Sequence, residues 1–360
     1  MGKTIKEIAD LAGVSRGTVD RVIHNRYGVK PEIRDKVNKI LTEVNYMPNK
    51  VAQALKHSEN PKTFGLVRND MTNPFWDRVM EGFHSAAKAL EPNGVKLIPK
   101  DMQEITPAEQ LRCIEELLDG DEKISGLFLA GLEDISLSDR INEIASEIPV
   151  IAYNTDIACS NRLCFVGQNH YAAGLTAGRM MAMLLGEEGE VISYMGPGKT
   201  ASHLKRFMGF CESMQALKPE IVICKPRMDK KIDYTYDEMA YDYVEKALKN
   251  PACKAIYTTG EGEVGAARAL RDSGRYMEVK MVCYDLLPEI VRAMEDDVVD
   301  VTIGQEEFQQ GYLPVNLMYE YLTFGTKPPH RRIYTDINIR IRENIHAGKT
   351  ESRMDRWESV

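Results

Sequence analysis

From Thr63 onward the chain alternates short apolar runs with amphipathic stretches of helical period, and no other feature narrows its possible folds as much. The runs predict strands at Phe64–Val67, Val95–Ile98, Gly126–Ala130, Val150–Tyr153, Arg162–Val166, Val191–Tyr194, Ile221–Cys224, Ala255–Tyr257, Val279–Tyr284 and Val299–Ile303. Helices fit between them at Trp76–Leu90, Pro107–Leu118, Tyr171–Leu185, Leu204–Leu217, Asp237–Leu248, Val264–Arg271 and Gln309–Phe324. Strand–helix alternation implies parallel sheets covered on both faces. About ten strands suit two doubly wound halves better than one sheet. Such halves take ligands at the carboxyl ends of their strands, so residues just after each strand become candidate cleft residues.

The amino-terminal stretch has a different period. Thr4 followed by Glu7 reads as a capping box, and Ile5, Ile8, Ala9 and Ala12 give one apolar stripe. Gly13 can take the left-handed conformation that ends this helix, and Ser15 can cap a second whose apolar face is Val19, Val22 and Ile23. A short helix, a glycine turn and a capped second helix make a helix-turn-helix. An αα-hairpin buried in some core is the bland alternative. The outward residues Arg16, Thr18 and Arg21 argue against it, because they suit base edges and phosphates. Pro31 opens a third helix whose apolar face is Ile33, Val37, Ile40, Leu41 and Val44.

Charge divides along the same boundary. Residues 1–62 carry 12 Lys+Arg and 7 Asp+Glu, a net of +5, whereas the whole chain is −8. A basic head on an acidic body suits a head that meets phosphate. Seven cysteines are scattered singly, with no CxxC pair, which argues for reduced thiols and against a disulfide frame or zinc site. No apolar run approaches membrane-spanning length and the start lacks a secretion signal, so a cytoplasmic protein without a membrane partner is expected. No HExxH, GxSxG or GxxxxGK[ST] pattern occurs, and no metal or other cofactor is expected.

Between head and body, Asn49 can cap a helix of about two turns, too short to hold itself in water. It needs a partner chain or DNA. Leu55 on this basic segment can wedge between base pairs from the minor groove, or else cover the body.

Head, linker and body together resemble the lactose-repressor family of bacterial transcription regulators. The resemblance is carried by Thr4-Ile5-Lys6-Glu7-Ile8-Ala9, Ala12-Gly13-Val14-Ser15, Thr18-Val19, Arg21-Val22, Tyr46-Met47-Pro48-Asn49 and Val51-Ala52-Gln53-Ala54-Leu55. It implies an α/β protein with a small all-α helix-turn-helix head and two doubly wound parallel-sheet subdomains of the periplasmic-binding-protein kind. It further implies a homodimer reading a near-palindromic operator in double-stranded DNA. Arg16 and Gly17 fall at the family's base-reading positions, with Arg21 assisting and paired Leu55 side chains kinking the centre. Thr4, Ser15, Thr18, Asn25, Asn49, Lys50 and Ala52 complete the implied DNA-contacting set. Asp20 stands where the family usually has serine.

The body resembles periplasmic sugar-binding proteins of the ribose-binding type. Asn73-Pro74-Phe75-Trp76 looks like that family's asparagine and stacking aromatics. Asn154, Asp156, Arg206, Glu261, Asp285 and Gln305 stand at strand ends and match it unevenly, Asp285 and Gln305 best. The implied effector is a small sugar-like molecule. Lys199, His203, Lys205 and Arg206 keep a sugar phosphate or sugar acid open as an alternative.

The expected domains are 1–47 for the head, 48–62 for hinge helix and linker, 63–345 for the bilobal body and 346–360 for a charged tail. One lobe takes about 63–167 and 304–328, the other about 168–303 and 329–345. A rival in another class is Gly260-Glu261-Gly262-Glu263-Val264-Gly265, which matches the dinucleotide fingerprint with Asp285 twenty residues on. Its two glutamates would repel a pyrophosphate, so a nucleotide-dependent oxidoreductase is disfavoured. The expected mechanism is allosteric, with no chemistry performed: ligand closes the lobes and melts or forms the Asn49–Leu55 helices.

Overall fold

The computed structural model describes residues 5–23, 28–44, 61–68, 74–132, 135–157, 160–196, 201–228 and 235–346. Its helices are α1 (Ile5–Ala12), α2 (Arg16–Ile23), α3 (Pro31–Glu43), α4 (Pro74–Leu90), α5 (Pro107–Leu118), α6 (Ile135–Glu147), α7 (His170–Leu184), α8 (Ala201–Leu217), α9 (Tyr236–Ala247), α10 (Glu263–Asp272), α11 (Pro288–Glu295) and α12 (Glu307–Phe324). The strands are β1 (Lys62–Arg68), β2 (Val95–Asp101), β3 (Ile124–Leu129), β4 (Val150–Tyr153), β5 (Cys164–Gln168), β6 (Glu190–Tyr194), β7 (Val222–Ile223), β8 (Cys253–Thr258), β9 (Lys280–Tyr284), β10 (Val301–Gly304), β11 (Arg332–Thr335) and β12 (Asn338–Arg340).

Among the described residues these strands build two six-stranded sheets, ordered β11-β5-β4-β3-β1-β2 and β12-β10-β9-β8-β6-β7. Every pairing is parallel except β12 against β10. Burial follows from that topology. Strands β3, β4, β5 and β8 read as near-continuous apolar runs because helices cover both faces. The first lobe holds one core around Phe64, Phe83, Phe128 and Tyr153 and another around Ile114, Leu127, Leu129 and Ile141. The second lobe likewise has one around Ile256, Leu270 and Met281 and one around Phe210, Tyr257 and Tyr284.

The chain passes between lobes three times, at Gln168 to His170, Gly304 to Glu307 and Thr335 to Asn338. Residues 329–345, expected in the second lobe as a block, are therefore divided. Arg332–Thr335 extends the first sheet beside β5, and Asn338–Arg340 joins the second beside β10. Both strands are short, partly exposed edges, so they lack the apolar run that marks a buried strand. Helices α6 and α11 add to those expected from the sequence. The first buries Leu137, Ile141 and Ile144 at helical spacing within a polar stretch, and the second is eight residues long with Pro288 at its first position.

Two helix pairs run backbone against backbone. In α4 and α12, a Cβ on Gly82 would overlap the Phe308 carbonyl oxygen, and one on Gly311 the Val79 carbonyl oxygen. In α7 and α8, Gly174 and Gly209 play the same part against Arg206 and Tyr171. Close packing fixes these helices as pairs and so sets where Arg206 stands.

Candidate functional site

The head forms as its residues dictate. Gly13 has φ 66°, its N–H donates to the Asp10 carbonyl at 3.3 Å, and Val14 N–H reaches the Ala9 carbonyl at 3.0 Å, closing α1. Ser15 Oγ then accepts from Thr18 N–H at 3.1 Å and caps α2. Ile8, Ala9, Ala12, Val19, Val22 and Val37 make the small core. Burying Val19 and Val22 turns Arg16, Gly17 and Arg21 to solvent, with Thr18 half-buried beside them. Thr4, Asn25, Asn49, Lys50, Ala52 and Leu55 lie outside the described residues, as does Asn73.

In the body, three of the expected side chains converge at strand ends of the second lobe. Gln305 Nε2 donates to Asp285 Oδ1 at 2.6 Å, and both residues are buried. Arg206 reaches them from α8, with its guanidinium over the Tyr284 ring at 4.1 Å and Nη1 donating to the Thr259 carbonyl at 2.8 Å. Asp285 carries φ 66°, its N–H bound to the Ile303 carbonyl and its own carbonyl to Thr302 Oγ1 at 2.8 Å. The left-handed backbone of a non-glycine residue is thus clamped from both sides. Burial pushes the Asp285 carboxyl up to about 7, against the pull of the Arg206 guanidinium. Burial, then the charge of Arg206, drives the His203 ring down to about 3. Its Nδ1 sits 3.2 Å from Thr259 Oγ1. Burial, then the Asp285 charge, holds Glu263 well above the usual carboxylate range. Arg206 Nε and Gln305 Oε1 have no hydrogen-bond partner among the described residues. One buried donor and one buried acceptor near a carboxyl therefore lack a partner among the described residues, the set that a hydroxyl satisfies.

Asn154 is used differently from expectation. At φ 57°, it gives Nδ2 to Gln310 Oε1 at 3.2 Å, accepts Thr155 Oγ1 on Oδ1 at 3.1 Å, and offers its carbonyl to His170 Nε2 at 3.1 Å. Gln310 Nε2 donates to the Gln305 carbonyl at 2.8 Å, which Thr335 Oγ1 also reaches at 3.0 Å. Gln168 Nε2 donates to the Gly304 carbonyl at 3.0 Å. A polar seam thus joins Asp285, Gln305, Gln310, Asn154 and His170 across both lobes. Sequence reading missed Gln168, His170, Gln310 and Thr335. The strand-end rule reaches the first two, but nothing local marks Gln310, one turn into a helix.

The remaining expected residues scatter. Asp156 is held on the first lobe by Arg162 at 2.5 Å and Arg332 at 3.0 Å. Phe75 packs into the first-lobe core at 7 % exposure, and the half-buried Trp76 meets Phe75 and Tyr153 edge-on at 5.0 and 6.1 Å. Glu261 lies against Gly196, where a Cβ would come within 2.9 Å of its Oε2. Of the basic cluster, His203 and Arg206 are buried while Lys205 is exposed, and Lys199 falls outside the described residues.

Each glycine of the dinucleotide-like loop has a packing reason. Gly260 (φ 123°) makes room for Arg206 and Gly262 (φ 76°) for Tyr194 and Ala240, while Gly265 lets α10 approach the Asp237 carbonyl. No group of three potential metal ligands occurs among the described residues, and no described helix is long and apolar enough to cross a membrane.

Comparison with known proteins gives two family matches. Residues 4–49 match the model of bacterial regulatory proteins of the lacI family, and residues 64–327 that of the periplasmic binding protein domain. Catabolite control protein A of Staphylococcus xylosus is 31% identical over 157 residues, 43% of this chain and 45% of that protein. The ribose operon repressor of Haemophilus influenzae is 48% identical over 79 residues, 22% of this chain and 24% of that protein. The chain therefore aligns with less than half the length of these curated relatives. Among solved structures, GanP, a glucose-galactose binding protein from Geobacillus stearothermophilus, superposes with a TM-score of 0.69 at 26% identity, covering 79% of this chain and 99% of that one. AraP, an arabinose binding protein from the same organism, shares the fold at TM-score 0.66 and 22% identity, covering 79% and 98%.

Proposed function

We propose that this chain, which belongs to the lacI family of bacterial regulatory proteins and carries a periplasmic binding protein domain behind its head, is a sugar-responsive repressor that binds a near-palindromic operator as a homodimer. In this reading residues 1–47 read DNA, 48–62 form the hinge helix and linker, and 63–345 sense the ligand and dimerise. The protein performs no chemistry and works in the cytoplasm.

One observation carries the ligand-responsive part. Gln305 holds the buried carboxylate of Asp285 with its side chain, while its carbonyl is held by Gln310 and Thr335 of the other lobe. A molecule that bonds Asp285, Arg206 and Gln305 therefore pulls on the hinge itself. A neutral polyol fits best, because its hydroxyls both donate and accept and the wall offers one guanidinium against the carboxyls of Asp285 and Glu263. The names of the similar proteins, a ribose operon repressor and a glucose-galactose binding protein, belong to the same ligand class. Asn73 and Trp76 are kept in this proposal as the opposing wall.

The test is fluorescence anisotropy on inverted-repeat promoter duplexes at physiological salt, repeated with a panel of neutral pentoses and hexoses. One sugar should change operator affinity by about 5–150-fold, a coupling of about 1–3 kcal/mol, and operator should change sugar affinity by the same factor. No preference for any inverted repeat over random duplex would sink the DNA-binding half. Preference without a response to any sugar would sink the sensing half.

A further inference from the structure

A cavity lies between the lobes on the flank of the hinge, and none of Arg206, Asp285 or Gln305 lines it. It encloses about 260 Å³ and is walled by Asp156 and Arg332 of the first lobe, Gln168 at the crossing, and His170, Ser202 and Lys205 of the second. Its charge is positive. Arg162 and Arg332 share the one carboxylate of Asp156, and the exposed Lys205 has no ion-pair partner among the described residues. The amino termini of α7 and α8, helices of 15 and 17 residues, open onto it through His170 and through Ala201 and Ser202, adding positive dipole ends.

The lining also contains acceptors that are not satisfied. His170 is 8 % exposed, and because its Nε2 faces the Asn154 carbonyl, Nε2 carries the hydrogen and Nδ1 is left as an acceptor without a partner. Gln168, 1 % exposed, likewise has Oε1 without a partner. Cations and helix ends call for an anion, and the two acceptors call for hydroxyl donors.

We propose that this flank cavity is a second small-molecule site, which takes a hydroxyl-bearing anion, a phosphate or carboxylate carried on a polyol, and grips it from both lobes. Lys205, Arg332 and the two helix ends hold the anionic group, while His170 and Gln168 receive hydroxyls. The ligand bridges the lobes and so holds one setting of the hinge. It is distinct from the sugar reading in using none of Arg206, Asp285 and Gln305, although His170 also ends the polar seam that runs from Asp285.

The experiment is calorimetric titration and thermal unfolding of the full chain with D-ribose 5-phosphate, D-gluconate, inorganic phosphate and D-ribose, at constant ionic strength against chloride. One of the hydroxylated anions should bind more tightly than inorganic phosphate and raise the melting temperature. Lys205→Gln should weaken that binding about tenfold, the loss expected for one charged hydrogen-bonding partner, and Arg332→Gln should weaken it comparably. Both variants sit on exposed side chains, and their unfolding without ligand checks that they fold. The response to neutral sugar should survive Lys205→Gln. A response no larger than chloride's, or anion binding unchanged in Lys205→Gln, overturns the proposal. Anion binding abolished by Asp285→Asn but retained in Lys205→Gln also overturns it, by moving the anion to the main cleft. Anion binding through Lys205 with no neutral sugar bound would leave this site standing and remove the sugar reading instead.

Discussion

Gln305 and Asp285 are twenty residues apart in sequence and 2.6 Å apart in the fold, joined amide to carboxylate at the ends of adjacent parallel strands. The bond orients the carboxylate and leaves Gln305 Oε1 without a partner among the described residues. Asp285→Asn keeps the shape and removes the charge. We expect it to weaken neutral-sugar binding by roughly tenfold to hundredfold, the worth of a hydrogen bond to a charged group at about 1.5–3 kcal/mol. Calorimetry on the free protein reads this directly, and an unchanged affinity would remove Asp285 from the site.

The same carboxyl gives stability a pH dependence of known sign. Its folded value of about 7 lies above its ordinary 3.8, so between those values the native state holds a proton that the unfolded chain has lost. Its contribution therefore falls as pH rises from about 4 to 7. His203 acts oppositely. Held near 3 instead of 6.5, it stays neutral in the native state, so its contribution falls as pH drops below about 6.5. Denaturant titrations from pH 4 to 8 should show Asp285→Asn gaining stability relative to the parent as pH rises. His203→Gln should gain relative to the parent as pH falls.

Gln310 links the hinge to α12, whose next residue, Gly311, seats that helix on α4. Gln310→Leu leaves the Asn154 amide without its acceptor and removes one of two donors to the Gln305 carbonyl. The expected loss is about 1–3 kcal/mol of stability. The sugar-dependent change in operator affinity should shrink more than sugar affinity itself. Equal losses in both would mean Gln310 only supports the fold.

Gly311→Ala inserts a methyl into the Val79 carbonyl, which is backbone and cannot rotate away. Overpacking of this kind costs about 1–3 kcal/mol, and the melting temperature should drop by several degrees. An alanine at Gly186, where a Cβ meets nothing within 4 Å, is the control and should melt near the parent.

In the head, Arg16 and Arg21 are both exposed on α2, one at its first residue and one in its last turn. Arg16→Ala should lose about 1–3 kcal/mol of discrimination at one base pair. Arg21→Ala should weaken binding across all sequences and lower the salt slope by about 1. Anisotropy against a set of single-base operator variants at two salt concentrations separates the two outcomes.

The sequence by itself determined the two periodicities, the glycine turn at Gly13 with its Ser15 cap, the near-continuous apolar strands, and the strand-end placement of Asp285 and Gln305. All of these are local signals: spacing, capping chemistry and burial on both sheet faces leave their mark within a few residues. Only the tertiary structure decided that Asn154 bonds Gln310, that Asp156 is taken by Arg162 and Arg332, that Phe75 belongs to a core, and that Arg332–Thr335 and Asn338–Arg340 divide between the lobes. Those outcomes depend on which polar group meets which across a hinge crossed three times. A side chain's partner there can be 156 residues away, as Gln310 is from Asn154. No pattern confined to a single strand or helix carries that information.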